Sequence, residues 1–582
     1  MVRGLYFLEL KMGSGLRHKT NILIIFGLLY FSLSAFCDDG YDFIRPKREP
    51  VISASVNLVP GNPIRIWVAF TDKGIFTTEE YSAAVGKLDI SQRTLARRAK
   101  MGAAPEIQDL PVNQDYLAQL EPFVIAINQS SRWLNAVSAT IFKEKLPDIA
   151  NLPFVAEIRP VAKGESCERF RWEEAVSWKG VDGYNENYAH LGHEGAFYGN
   201  SYDQLDQIGV IEAHRRGLYG EGVIITIMDG GFMVDHRSLT HSDVLAEWDF
   251  INNDPFTGYD PEQDIRAQPR HGTAVMSNIA SFDPGNLIGA APYASFMLAK
   301  TEDIRDETPA EEDNMVAAIE WAEWNGTDVI STSLSYSDWY VAADYDGIIP
   351  YASRAVQRAF EMGVVFVTSM GNAGPRPMTM GAPADAEGSI SVGGVDSTST
   401  LVRFSSRGPT ADGRIKPNVL AMARHVTVAR PYTYDEFSLA NGTSFSCPLA
   451  AGALALLIQA HPDWPSYKIM EAAENTADRA SYPDNDWGYG ILRVDKALDY
   501  PSLSGYIIDA ETNQPIPDAE IHFISVDTSG VIAADSLGYY FGANFTGGKY
   551  SITAVANGYL ESDYRTIILP PDEYCDFALT PH

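Results

Sequence analysis

The chain has 582 residues and sets 76 Asp and Glu against 44 Lys and Arg, a net charge of −32. A surface this negative excludes nucleic acid and anionic membranes as partners, because both repel it. With 45% apolar and 21% charged residues the chain reads as folded, and its length implies about three or four domains.

Residues 1–37 read as a targeting segment. Arg17, His18 and Lys19 precede an apolar run over 22–36, which the small residues Ser34 and Ala35 help to close. This is the layout of a secretory signal peptide. The run is shorter than the ~20 residues a membrane span needs. Met12 is an alternative start with a more ordinary basic region. Cleavage after Cys37 leaves Ala35 three positions before the cut. A lipidated Cys37 is the less favoured alternative, because Phe36 fits a lipobox badly. No second long apolar segment follows, so the mature chain is expected without a transmembrane segment, secreted or at the cell surface (extracellular or periplasmic). Cys167, Cys447 and Cys575 fall in three different regions, which makes no disulfide framework, and Cys447 reads as a buried free thiol.

Residues 62–160 read as a small α+β unit of the ferredoxin-like, split βαβ kind. Its strands are expected over 64–70, 123–127, 136–141 and 154–159, and its helices over 91–101 and 143–151. The helix over 91–101 is basic in an acidic chain, so the unit is expected to dock by charge. Residues 161–200 are polar, rich in Gly and Tyr and without periodicity, and read as a linker and processing region.

Residues 201–500 alternate apolar strands (223–228, 295–298, 328–334, 364–368, 389–395) with helices (273–280, 311–324, 353–362, 444–459, 466–475). This pattern predicts a mostly parallel α/β sheet flanked by helices. Sites in such sheets gather at the carboxyl ends of strands. Asp229 stands at one such end, and Asn372 just past another. The acidic run over 302–313 reads as a solvated cap on the following helix. Residues 503–582 show short strands (505–508, 520–524, 539–541, 550–555, 564–569) between turn residues, an all-β sandwich pattern.

The chemistry centres on residues 441–448, Asn-Gly-Thr-Ser-Phe-Ser-Cys-Pro, at the head of a long apolar run. A small Gly-Thr turn presents Ser444 where a helix begins, among free N–H groups and a partial positive charge. Asp229-Gly230 ends an apolar strand, and His271-Gly272-Thr273 opens a helix of small residues. Taken singly these are weak signals: a turn, a cap and a loop. In the chain order Asp, His, Ser they point to a serine hydrolase. The segment 442–446 is not a Gly-x-Ser-x-Gly elbow, which counts against an α/β-hydrolase.

Together with their surroundings these segments resemble the subtilisin-like serine peptidases, the subtilase family, through nearly all of 201–500. Residues 222–230, Gly-Val-Ile-Ile-Thr-Ile-Met-Asp-Gly, resemble its aspartate segment, and residues 270–275, Arg-His-Gly-Thr-Ala-Val, its histidine segment. Residues 289–292, 369–372, 404–409, 416–419 and 442–448 follow in family order. The resemblance implies Asp229, His271 and Ser444 as the catalytic triad. It implies the Asn372 amide and the Ser444 N–H as donors to the oxyanion, and Ser333, Leu334 and Ser335 as one rim of the substrate groove. Ser335 stands where the family commonly has Gly, and Phe445 and Ser446 replace its usual Met-Ala.

The resemblance also implies protein or peptide substrates and no cofactor for the chemistry; structural calcium is compatible, with no site assigned. Residues 62–160 resemble a subtilase propeptide, an intramolecular chaperone and inhibitor cut off between 161 and 200. Residues 503–582 resemble the carboxypeptidase regulatory-like modules, in residues 505–509, 515–519, 535–539 and 558–559. The expected function is a secreted serine endopeptidase made as a self-processing zymogen. The alternative is a catalytically idle subtilase fold used for binding or adhesion through its sandwich.

Overall fold

The computed structural model describes residues 51–582 apart from Leu58, Pro60, Asp338 and residues 163–170, 183–189, 306–311 and 570–572. Residues 1–37, read above as a signal peptide and including Cys37, lie outside the described residues, as does Cys167. In the first unit Ile64–Phe70 (β1), Ala126–Ser131 (β2), Ala136–Ile141 (β3) and Val155–Pro160 (β4) join the short strand Val51–Ile52. The sheet order is Val51–Ile52, β4, β1, β3, β2. Strand alternation gives it two faces. Ile64, Ile66, Val68 and Phe70 enter the unit's own core. Trp67 and Ala69, between them, pack instead with the following domain, and Trp67 lies 5.3 Å from the Tyr351 ring.

The strand expected over 123–127 begins later, because Pro122 starts a 3-10 turn at Glu121–Phe123. Thr78–Val85 (α1) is a helix that the apolar pattern does not announce, since it buries no residue. Gln92–Lys100 (α2) starts at Ser91, whose side chain accepts from the Thr94 N–H. Its Arg97 and Arg98 are buried against Glu323 of the next domain.

Residues 161–200 are more than a linker. Arg171–Lys179 (β5) is a strand paired antiparallel with a strand that ends at Asn441.

The central sheet has seven parallel strands. In chain order they are Ile224–Asp229 (β6), Asp243–Asp249 (β7), Ser295–Lys300 (β8), Val329–Thr332 (β9), Val365–Ser369 (β10), Ser389–Val395 (β11) and Val419–Met422 (β12). They stand in the order β12-β11-β10-β9-β6-β8-β7. Arg270–Ala280 (α3) and Thr443–Ala460 (α4) cover one face, where Ile225 and Ile227 point. Glu312–Trp324 (α5) and Tyr351–Glu361 (α6) cover the other, where Ile224 and Met228 point. Both faces are therefore buried, and the strands read as continuous apolar runs. α4 is long and apolar enough to cross a membrane, yet 83% of it is buried inside the domain.

Of the acidic run, Glu302, Glu312 and Asp313 are buried rather than solvated. Glu312 accepts from the Tyr340 hydroxyl at 2.8 Å and the Ala162 N–H at 3.2 Å. Asp313 pairs with Arg65 at 2.6 Å. Glu320 accepts from the Arg132 N–H at 3.0 Å. Burial pushes the Glu312 and Glu320 carboxyls up. Ser131, Arg132 and Trp133 of the first unit satisfy Glu320. Glu312 is satisfied by Ala162 together with Tyr340 and Ala352 of its own domain.

Residues 503–579 form two small sheets. One centres on Leu503–Asp509 and the other on Glu520–Ile524 and Gly548–Val555. They close over Ile507, Ile521, Tyr540, Tyr550 and Ile552.

Candidate active site

The carboxyl ends of the parallel strands bring the expected residues together. Asp229 is the last residue of β6 and fully buried. Its carboxylate accepts from the Gly230 N–H at 2.7 Å. His271 is the second residue of α3. Its Nδ1 donates to Asp229 Oδ2 at 2.8 Å and Oδ1 at 3.0 Å. An ionised carboxylate only accepts, so this contact places the proton on Nδ1 and leaves Nε2 as the basic atom. Gly272 is required by space. A Cβ there would sit 2.3 Å from the Gly231 oxygen and 2.9 Å from Asp229 Cβ.

Ser444 sits in the first turn of α4, behind Gly442, whose φ of 146° belongs to glycine. It is 7% exposed and His271 is 5% exposed. The Phe445 ring lies 6.0 Å from the imidazole, which sets His271 against the start of α4.

Asn372 is exposed just beyond β10. The Thr443 N–H donates to its Oδ1 at 2.9 Å, and the Thr443 hydroxyl does so at 3.1 Å. An N–H can only donate, so the amide oxygen faces Thr443 and the NH₂ group faces away from it. Thr443 also accepts from the Gly371 N–H at 3.1 Å. Thr443 thus fixes Asn372, a role its place beside Ser444 did not announce.

The rim residues divide. Ser333 is buried, and its hydroxyl donates to the Ser444 main-chain oxygen at 2.9 Å. Leu334 is buried in the core of the face that α5 and α6 cover. Ser335 turns its side chain toward Gly381, where a Cβ would lie 2.1 Å from Ser335 Oγ. Cys447 is free and buried. Among the described residues no cluster of three or more His, Cys, Asp or Glu is placed to hold a metal ion.

Comparison with known proteins agrees with this fold. Residues 220–490 match the model of the subtilase family, peptidase S8, and residues 65–174 that of the S8 propeptide domain of Bacteroidota. Residues 220–490 are a subtilase-family peptidase domain. It is 29% identical to subtilisin E of Bacillus subtilis over 315 residues, 53% of this chain and 73% of that one. It is 27% identical to the serine protease AprX of the same species over 317 residues, 49% of this chain and 69% of that one. Fervidolysin from Fervidobacterium pennivorans, a keratinolytic enzyme related to subtilisin, superposes with a TM-score of 0.53 at 19% identity. That match covers 92% of this subtilase and 81% of fervidolysin, and bears on the fold alone. This subtilase is a serine peptidase with an S8 propeptide domain.

Proposed function

We propose that this subtilase is a secreted endopeptidase, made as a self-processing zymogen, in which Ser444, His271 and Asp229 are nucleophile, base and orienting acid. The observation that carries this is the pairing of His271 Nδ1 with Asp229 at 2.8 Å beside the helix start that bears Ser444. An imidazole takes and returns a proton near neutral pH. Nε2 accepts the Ser444 proton as Oγ attacks the peptide carbonyl, and hands it to the leaving amine as the acyl-enzyme forms. Water then repeats the cycle and frees the acid. Asp229 holds the tautomer and stabilises the transient imidazolium. The Ser444 N–H and the Asn372 amide donate to the oxyanion. The reaction needs no cofactor.

The propeptide domain packs its strands and α2 on α5 and α6, and Ala162 bonds Glu312 beyond its last strand. This supports a processing bond after residue 162. The C-terminal sandwich serves binding or spacing rather than catalysis, since all the named reacting groups lie in 201–500. The test is expression of the full chain beside Ser444→Ala. The parent loses its first 160 or so residues and labels with a fluorophosphonate, while the variant does neither. Equal processing and labelling in both refutes the assignment of Ser444. Sequencing of the mature N-terminus from the culture medium tests secretion and the bond cut.

A further inference from the structure

Arg266, Arg270 and Arg430 converge on one cavity of about 250 Å³, whose wall also includes Tyr432 and Ser438. Three guanidinium groups round one cavity run against a chain charge of −32. Arg430 is already paired with Glu436 at 2.6 Å. Among the described residues Arg266 and Arg270 meet no carboxylate at ion-pair distance, and both are exposed. Arg266 lies 5.0 Å over the Tyr432 ring, which holds its guanidinium against the wall. Ser438 is 1% exposed, and among the described residues its hydroxyl has no hydrogen-bond partner. A buried hydroxyl left open in a cavity wall marks a missing partner.

The place of the cavity decides what that partner is. Arg270 directly precedes His271, and Ser438 lies on Glu436–Asn441, the strand that leads into Ser444. His271 gives its proton to the leaving amine, so the chain beyond the cut bond departs over His271. Residues 333–335 approach Ser444 from β9 instead. The cavity is smaller than the ~300–1,000 Å³ of small-molecule sites, which suits a side chain or a chain end. Guanidinium groups match carboxylates in shape and charge.

We propose that this cavity is a subsite for a carboxylate on the leaving-group side of the cut bond. The carboxylate belongs to an Asp or Glu side chain or to a free chain terminus. The proposal rests on the triad reading given above.

The test uses quenched fluorescent peptides of one sequence before the cut bond. One set carries Asp, Asn, Glu, Gln or Lys at each of the first three positions after it. A second set is neutral there and ends two or three residues past the cut as a free carboxylate or as an amide. The processed enzyme cleaves the carboxylate member of at least one pair with kcat/KM about tenfold above its amide partner. A preference in the first set assigns a side chain, and one in the second set assigns a terminus. Arg266→Gln with Arg270→Gln brings the ratio to within about twofold. Fluorophosphonate titration counts competent sites in each protein. No preference in the parent, or a preference that survives in the double variant, overturns the subsite. The parent profile decides on its own if the double variant does not fold. A parent that neither labels nor cleaves any peptide refutes the triad, and the subsite with it.

Discussion

Ser333 Oγ donates to the main-chain oxygen of Ser444 across 2.9 Å. In an α-helix that oxygen belongs to the N–H four residues on. Here that residue is Pro448, which has none. The chain after β9 supplies the missing donor and ties the expected substrate rim to the helix of the nucleophile. Ser333→Ala leaves a buried carbonyl without a donor, at a cost of about 1–3 kcal/mol. In a Ser444→Ala background, free of autolysis, its urea midpoint should fall, and Ser333→Thr should recover most of the loss. An unchanged midpoint in Ser333→Ala would show that the carbonyl finds another donor.

The Thr443–Asn372 contact makes a second prediction. Asn372→Leu keeps the bulk but removes the amide donor. Loss of one such donor lowers turnover by about 10²–10³-fold, the magnitude established for the matching asparagine of a subtilisin. KM should change little, because the bond strengthens as charge develops on the oxygen. Steady-state kinetics on one peptide amide separates the two constants. A rise in KM with kcat intact would make Asn372 a binding residue only.

The site residues were legible because their chemistry is local. Asp229 closes an apolar strand, and His271 and Ser444 open helices of small residues, so each carries its own short pattern. The elements that escaped lack such a pattern. Asp243–Asp249 is an edge strand, half polar along its length. β5 takes its order from pairing with a strand some 260 residues later, and its own composition is that of a linker. Glu312 and Asp313 read as solvated charges because their partners Ala162 and Arg65 lie far back in the chain. Burial of a charge depends on its partner, and no local window contains that partner.

Cys447 lies three residues after the proposed nucleophile, and its reactivity is testable. Burial pushes its thiol up to about 12. At pH 8 only about one molecule in 10⁴ is then a thiolate. Iodoacetamide should leave activity untouched over hours, and mass spectrometry should find Cys447 alkylated only after denaturation. Rapid loss of activity with alkylation of Cys447 would contradict this.

Glu323 holds the propeptide domain to the peptidase domain. Its carboxylate receives Arg98 Nε and Nη2, both at 2.8 Å, Arg132 Nη2 at 3.2 Å, and Arg97 as well. Asp109 is the other carboxylate on Arg98, at 2.8 Å. Removing one partner of a buried pair costs about 3–5 kcal/mol, since it strands the opposite charge. Glu323→Ala should therefore cut the yield of processed enzyme at least about tenfold in refolding of the full chain. Quantified mature band and fluorophosphonate label are the readouts. Normal yield would mean that the apolar contacts of Trp67 suffice for docking.

Lys416 gives a pH dependence of stability with a defined sign. Its ammonium is buried and donates to the Ser389 carbonyl at 2.7 Å, the Ser389 hydroxyl at 3.1 Å and Asn418 Oδ1 at 2.9 Å. Burial, with Arg414 nearby, pushes it down to about 7 from 10.5. Between those values the unfolded chain holds a proton that the folded chain has released, so stability rises with pH across the window. The contribution is complete above 10.5 and is lost as pH falls through about 7. Lys416→Met removes it. In the Ser444→Ala background, the stability of the parent minus that of Lys416→Met should climb from pH 7 to pH 9, by up to about 1.4 kcal/mol per unit. Urea melts at each pH measure the difference. A flat difference would mean that the three oxygens hold the ammonium charged in the folded chain.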